Sequence, residues 1–100
     1  MKDINRLGIV NRGEPAMRLL TAVADLNRTE RAHSGTAHRI TTVAFYTDPD
    51  SDSWYVQEAD EAVLLGPATF LDPHDGHRKS TYLDEGAVME ALVAASCDAV

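Results

Sequence analysis

Leu7-Gly8-Ile9-Val10 is an unbroken apolar run closed by Asn11-Arg12-Gly13, the pattern of a buried strand ending in a tight turn. Beyond the turn the apolar period changes. Ala16, Leu19, Leu20, Val23 and Leu26 recur at helical spacing, and Pro15 falls in the first turn, where its missing N–H would have no partner. This predicts a helix to about Asn27. Residues Arg28 to Arg39 are polar, contain Gly35 and show no period, so they read as a connecting loop.

Thr41-Thr42-Val43-Ala44-Phe45-Tyr46 is rich in β-branched and aromatic residues and is punctuated by Thr47-Asp48-Pro49-Asp50, which predicts a second strand. A short helix follows from Ser53 through Trp54, Val56 and Ala59, then a third strand, Ala62-Val63-Leu64-Leu65, stopped by Gly66-Pro67. Thr69 to Ser80, with Pro73, His74, Gly76 and His77, reads as a surface loop. A last helix begins near Asp84, whose carboxylate can accept from the free N–H groups of the first turn. Val88, Met89, Leu92 and Val93 form its apolar face, and Asp98-Ala99-Val100 starts a fourth strand.

Strands that are unbroken apolar runs, alternating with helices, indicate an α/β fold with a parallel sheet covered on both faces. Right-handed crossovers then give a Rossmann-like half, truncated at the fourth strand.

The 100 residues are 44% hydrophobic and 25% charged, enough for one small core. A net charge of -7 argues against nucleic acid, whose affinity comes from clustered Lys and Arg. The opening Met1-Lys2-Asp3-Ile4-Asn5-Arg6 lacks a signal peptide's apolar run and no later stretch would span a bilayer, so no membrane contact and a cytoplasmic location are expected. Cys97 stands alone and reads as a packing residue.

Local motifs for chemistry are incomplete. The first strand-turn-helix supplies one glycine, Gly13, where a dinucleotide fingerprint needs three, and Glu14 would repel a phosphate. Asp48, Asp50 and Asp52 alternate like calcium ligands, but Ser53 replaces the glycine and Ala59 the closing carboxylate, which leaves a solvated acidic turn. His74 and His77 have no thiol nearby to complete a zinc site. Trp54 and Tyr55 read as packing against the sheet edge rather than a binding platform.

Taken in order, Leu7-Gly8-Ile9-Val10-Asn11-Arg12-Gly13-Glu14-Pro15-Ala16-Met17-Arg18 resembles the opening of biotin carboxylases, Ala-Asn-Arg-Gly-Glu-Ile-Ala-x-Arg. The resemblance resumes at Thr42 to Asp52, similar to the family's Val-Ala-Val-Tyr-Ser-x-Ala-Asp, at Ala59 to Ala68, and at Tyr82-Leu83. It implies a preATP-grasp domain, the front of an enzyme that uses ATP, bicarbonate and magnesium to carboxylate protein-bound biotin before transfer to an acyl-CoA. The family's nucleotide-binding lysines, metal carboxylates and catalytic arginine lie in later segments. Residues 1–100 are therefore expected to be an incomplete, inactive front portion that binds no ATP, magnesium or biotin by itself and holds no catalytic or metal residue.

The implied partners are the ATP-grasp and biotin carboxyl carrier domains, a carboxyltransferase and further copies in a homo-oligomer. Asn11, Arg12, Gly13 and Glu14 close the first strand at the sheet's carboxyl edge, where α/β proteins gather ligands, and are expected to face the active site. Arg18 matches an arginine of the family's dimer contact, while Thr21 matches poorly and Asp25 only in charge. Val10 and Pro15 depart from the family pattern, and segments 28–39 and 70–80 lengthen it, as in the large fused acyl-CoA carboxylases of bacteria. Pyruvate carboxylase or another ATP-grasp ligase shares this opening, and a non-enzymatic α/β interaction module is the rival from another class.

Overall fold

The computed structural model describes residues 4–34 and 39–100. Its main sheet has three parallel strands in sequential order, β1 (Arg6–Ile9), β2 (Thr41–Thr47) and β3 (Glu61–Gly66). On the other side of β1, Ala99 forms a parallel bridge with Leu7, Gly8 N–H donates to Ala99 O at 2.8 Å and Asp98 N–H donates to Arg6 O at 3.0 Å. A fourth strand thus begins beside β1, and the direction in which strands are added reverses there. That reversal is a topological switch point, where open α/β sheets bind ligands beyond the strands' carboxyl ends.

Helix α1 (Gly13–Ser34) connects β1 to β2, α2 (Trp54–Glu58) connects β2 to β3, and α3 (Glu85–Ala94) precedes the fourth strand. Alternation along β2 feeds both faces of the sheet. Ala44 packs with Ile9, Ala16, Leu20 and Tyr55, whereas Val43 and Phe45 pack with Leu92 of α3. The centres of β1 and β2 are apolar because helices cover both faces there, while β3 is more exposed. Gly8 lets α3 come close: a Cβ there would collide with Leu92 Cδ2 and lie 3.0 Å from Phe45 Cε2.

The helices bury narrower stripes than their apolar periods predict. On α1, Ala16, Leu20 and Val23 are buried while Leu19 and Leu26 are exposed, and on α3 Leu92 is buried while Met89 and Val93 face outward. The adjacent aromatics separate as well. Tyr55 is buried and packs under α1, but Trp54 is 76% exposed, because consecutive helical residues point to different sides.

Two segments read as loops are regular structure. Helix α1 does not stop at Asn27 but runs to Ser34, through residues with no breaker before Gly35. Thr29 Oγ1 donates to Asp25 O, and Asn27 makes reciprocal hydrogen bonds with the backbone of Ile40, 2.8 and 3.0 Å long, tying the helix to the start of β2. Residues 35–38, the rest of that expected loop, lie outside the described residues. The second segment is an antiparallel hairpin of β4 (Thr69–Leu71) and β5 (Arg78–Ser80). Its turn closes through Gly76 at φ +73° and through Lys79 Nζ, 2.6 Å from Asp72 and 2.9 Å from Asp75.

At the amino edge of the sheet, Arg6 grips Glu61 with two nitrogens at 2.6 and 3.1 Å and donates from Nε to Ala95 O at 3.0 Å. Asp98 accepts from the N–H groups of Asn5 and Arg6. Cys97 is half-buried against the Phe45–Leu92 cluster, and burial pushes its thiol pKa up, as a packing role requires. Among the described residues no helix is long and apolar enough to cross a membrane.

Candidate functional site

The turn after β1 stands at the carboxyl edge, beside the switch point. Asn11 Oδ1 accepts from Arg12 N–H at 2.8 Å, and the chain enters α1 through Gly13 at φ +65°, a conformation that glycine adopts without steric cost. Asn11, Arg12, Gly13 and Glu14 are all exposed.

Arg12 reaches from this turn to the end of β2, where its Nη2 lies 2.7 Å from Asp50 Oδ1. The two side chains differ sharply in burial, 63% exposed for Arg12 and 6% for Asp50. Tyr82 OH donates to the other carboxylate oxygen at 2.8 Å, and Thr47 Oγ1 lies 3.5 Å from it. The same Tyr82 hydroxyl accepts from Thr47 N–H at 3.2 Å and meets Tyr55 OH at 2.8 Å. A phenol has one proton and two lone pairs. Since Tyr82 gives its proton to Asp50, Tyr55 is the donor in the tyrosine pair, and the chain of donation runs Tyr55 to Tyr82 to Asp50, with Arg12 donating from the other side.

This arrangement offsets the several kcal/mol that a buried carboxylate costs. Burial, and then the hydrogen bond to Tyr82, raise the Tyr55 pKa far above the usual phenol range, so Tyr55 stays protonated and keeps its donor. The expectation of a solvated acidic turn is corrected at its centre: Asp48 and Asp52 are exposed, but Asp50 is buried. Its local sequence does not set it apart from those neighbours, because its partners Tyr82 and Arg12 lie 32 and 38 positions away.

Arg18 sits one turn into α1 and pairs with Glu14, both side chains largely solvated. Farther along, Asp25 pairs with Arg28. The outer face of α1 thus carries helix-internal ion pairs of small energetic worth, and Arg18 does not join the Arg12–Asp50 cluster. His74 and His77 sit in the hairpin turn, where their backbone N–H groups donate to Asp72 and Asp75.

The residues present do not fit a nucleotide or metal. Glu14 lies in the first turn of α1, where its charge opposes phosphate at the helix end. Among the described residues no group of three or more His, Cys, Asp or Glu side chains could hold a metal ion.

Fold and edge together define an α/β scaffold, a switch-point sheet with an anchored arginine at its mouth. Residues 3–100 match the family described as biotin carboxylase, N-terminal domain, and the chain belongs to that family. The propionyl-CoA carboxylase alpha chain, mitochondrial, of Rattus norvegicus is 32% identical over 99 residues, which are 99% of this chain and 11% of that one. Pyruvate carboxylase of Staphylococcus aureus is 32% identical over 100 residues, all of this chain and 7% of that one. The crystal structure of a biotin carboxylase–β,γ-ATP complex from Campylobacter jejuni shares the fold, with a TM-score of 0.68 and 24% identity over 96% of this chain and 17% of that one. The chain thus spans about a tenth or less of the length of these curated relatives.

Proposed function

We propose that this chain is the amino-terminal part of the biotin carboxylase component of an acyl-CoA carboxylase. The complete enzyme is a ligase that uses ATP, magnesium and bicarbonate to carboxylate protein-bound biotin and then passes the carboxyl group to an acyl-CoA in fatty-acid metabolism. Residues 1–100 form an incomplete domain with the role of scaffold. The observation that carries this reading is the placement of Asn11-Arg12-Gly13-Glu14 at the carboxyl end of β1, in a chain whose residues 3–100 match the biotin carboxylase N-terminal family.

In this reading the turn faces an ATP-grasp body, the partners are a biotin carboxyl carrier domain and a carboxyltransferase, and the assembly is a homo-oligomer. The Arg18 face of α1 is the candidate contact between copies. A cytoplasmic location is part of the same proposal. Nucleotide, metal and biotin chemistry is supplied by segments other than this one, and the part played here is to present the β1 turn and hold its direction.

A pyruvate carboxylase is the second reading, because the Staphylococcus aureus enzyme matches at the same 32% identity over the whole chain. Labelled bicarbonate, supplied to the full-length protein with ATP, magnesium and either propionyl-CoA, acetyl-CoA or pyruvate, separates the two. Acid-stable label in an acyl-CoA product is expected. Label in the pyruvate reaction alone would transfer the assignment to the second reading, and no label with any acceptor would remove both.

A further inference from the structure

Arg6 and Arg12 stand at opposite edges of the same sheet and are used in opposite ways. Arg6 commits Nε, Nη1 and Nη2 to Ala95 and Glu61, and its side chain is 29% exposed. Arg12 commits only Nη2 among the described residues, and its side chain is 63% exposed. The first is a structural staple. The second is anchored at one corner, with no partner for Nε and Nη1 among the described residues.

The anchor is itself fixed. Asp50 is buried and cannot swing toward solvent without leaving the Tyr82 hydroxyl at 2.8 Å, which is held in turn by Thr47 N–H and Tyr55. Glu14, the carboxylate of the turn, is paired with Arg18 and not with Arg12. A guanidinium with free donors, held by a rigid carboxylate, is preorganised to bind an oxyanion.

We propose that Asp50 and Tyr82 are positioning residues that aim Arg12 at an oxyanion at the carboxyl edge, and that biotin carboxylation depends on this aim. The proposal rests on the carboxylase reading above. The oxyanion is a carboxylate of the ATP-grasp body packed over the edge. The chemistry is charge-assisted donation to it from the guanidinium N–H groups that Asp50 does not use.

The test uses full-length protein and follows ADP release that depends on free biotin and bicarbonate. It compares wild type with Arg12→Gln, Tyr82→Phe, Asp50→Asn and the double variant Arg12→Gln/Tyr82→Phe. Arg12→Gln is expected to lower kcat/KM on the order of ten-fold or more, since small misplacements cost about that much. Tyr82→Phe is expected to give a smaller loss, and the double variant to be no slower than Arg12→Gln, because Tyr82 acts through Arg12.

A lowered kcat at unchanged KM is expected for a neighbouring carboxylate, whereas a raised KM for bicarbonate or ATP at unchanged kcat would overturn that assignment. Should Asp50→Asn fail to fold, Tyr82→Phe, which keeps the ring and the Asp50 charge, carries the comparison. An active wild type with an unaffected Arg12→Gln overturns the proposal, as do losses that multiply in the double variant. A wild type without biotin-dependent ADP release overturns the carboxylase reading itself, and this proposal with it.

Discussion

Gly8 of β1 lies directly against Leu92 of α3, so close that a methyl group on Gly8 would overlap Leu92 Cδ2. The strand cannot retreat, because Gly8 N–H is bonded to Ala99 O at 2.8 Å. Gly8→Ala is therefore expected to destabilise the fold by about 1–3 kcal/mol through overpacking, read as a lower urea midpoint. Shortening the opposing side chain, in Gly8→Ala/Leu92→Val, should recover part of that loss. An unchanged midpoint for Gly8→Ala would show that α3 does not pack on β1 this closely.

Asp60 gives a pH signature. Burial would raise its pKa, but hydrogen bonds from Arg39 and from Thr42 N–H, the latter 2.9 Å long, outweigh that and hold it below the usual carboxylate value. A depressed folded-state pKa means stability that is present above the unfolded value, about 4, and lost as pH falls through the folded one. The gap in urea midpoint between wild type and Asp60→Asn should be widest near neutrality and shrink below about pH 4. Equal acid slopes for the two proteins would contradict this.

Asp84 is the amino-terminal cap of α3, its carboxylate accepting from Ala87 N–H at 3.2 Å. Asp84→Ala should cost about 1 kcal/mol and Asp84→Asn much less, since Asn caps equally well. Chemical denaturation monitored by far-UV circular dichroism measures both. Equal losses would show that the charge, not the hydrogen bond, matters.

Tyr55 is expected to resist ionisation in the folded state. Its burial and its bond to Tyr82 raise its pKa, so phenolate absorbance in alkali should include one late step that coincides with unfolding and is missing in Tyr55→Phe. A Tyr55 that titrates near the ordinary phenol value, about 10, would mean that the Tyr55–Tyr82–Asp50 chain does not persist in solution.

The strands and their parallel order were legible because a sheet covered on both faces needs unbroken apolar runs, and Leu7–Val10, Thr41–Tyr46 and Ala62–Leu65 supply them. The cap at Asp84 was legible for a local reason too. The last turns of α1 were not, since past Asn27 the helix has no apolar stripe to betray it and simply propagates from the turns before. The hairpin escaped notice because strands of three residues are too short to show a period. At the candidate site, Asn11–Glu14 lie where β1 gives way to α1, as the break after Val10 and the single Gly13 indicate. Asp50 was not distinguished from Asp48 and Asp52, because its burial is decided by Tyr82 and Arg12, which reach it from distant parts of the chain.

The measurement that bears most directly on the central claim is ADP release by the full-length protein with ATP, magnesium and bicarbonate, in the presence and absence of free biotin. The biotin carboxylase reading predicts slow turnover without biotin and a marked rise with it, abolished when bicarbonate is removed. Turnover indifferent to biotin, or none under any condition, would contradict it and leave this chain as a family member in fold, with a function still to be assigned.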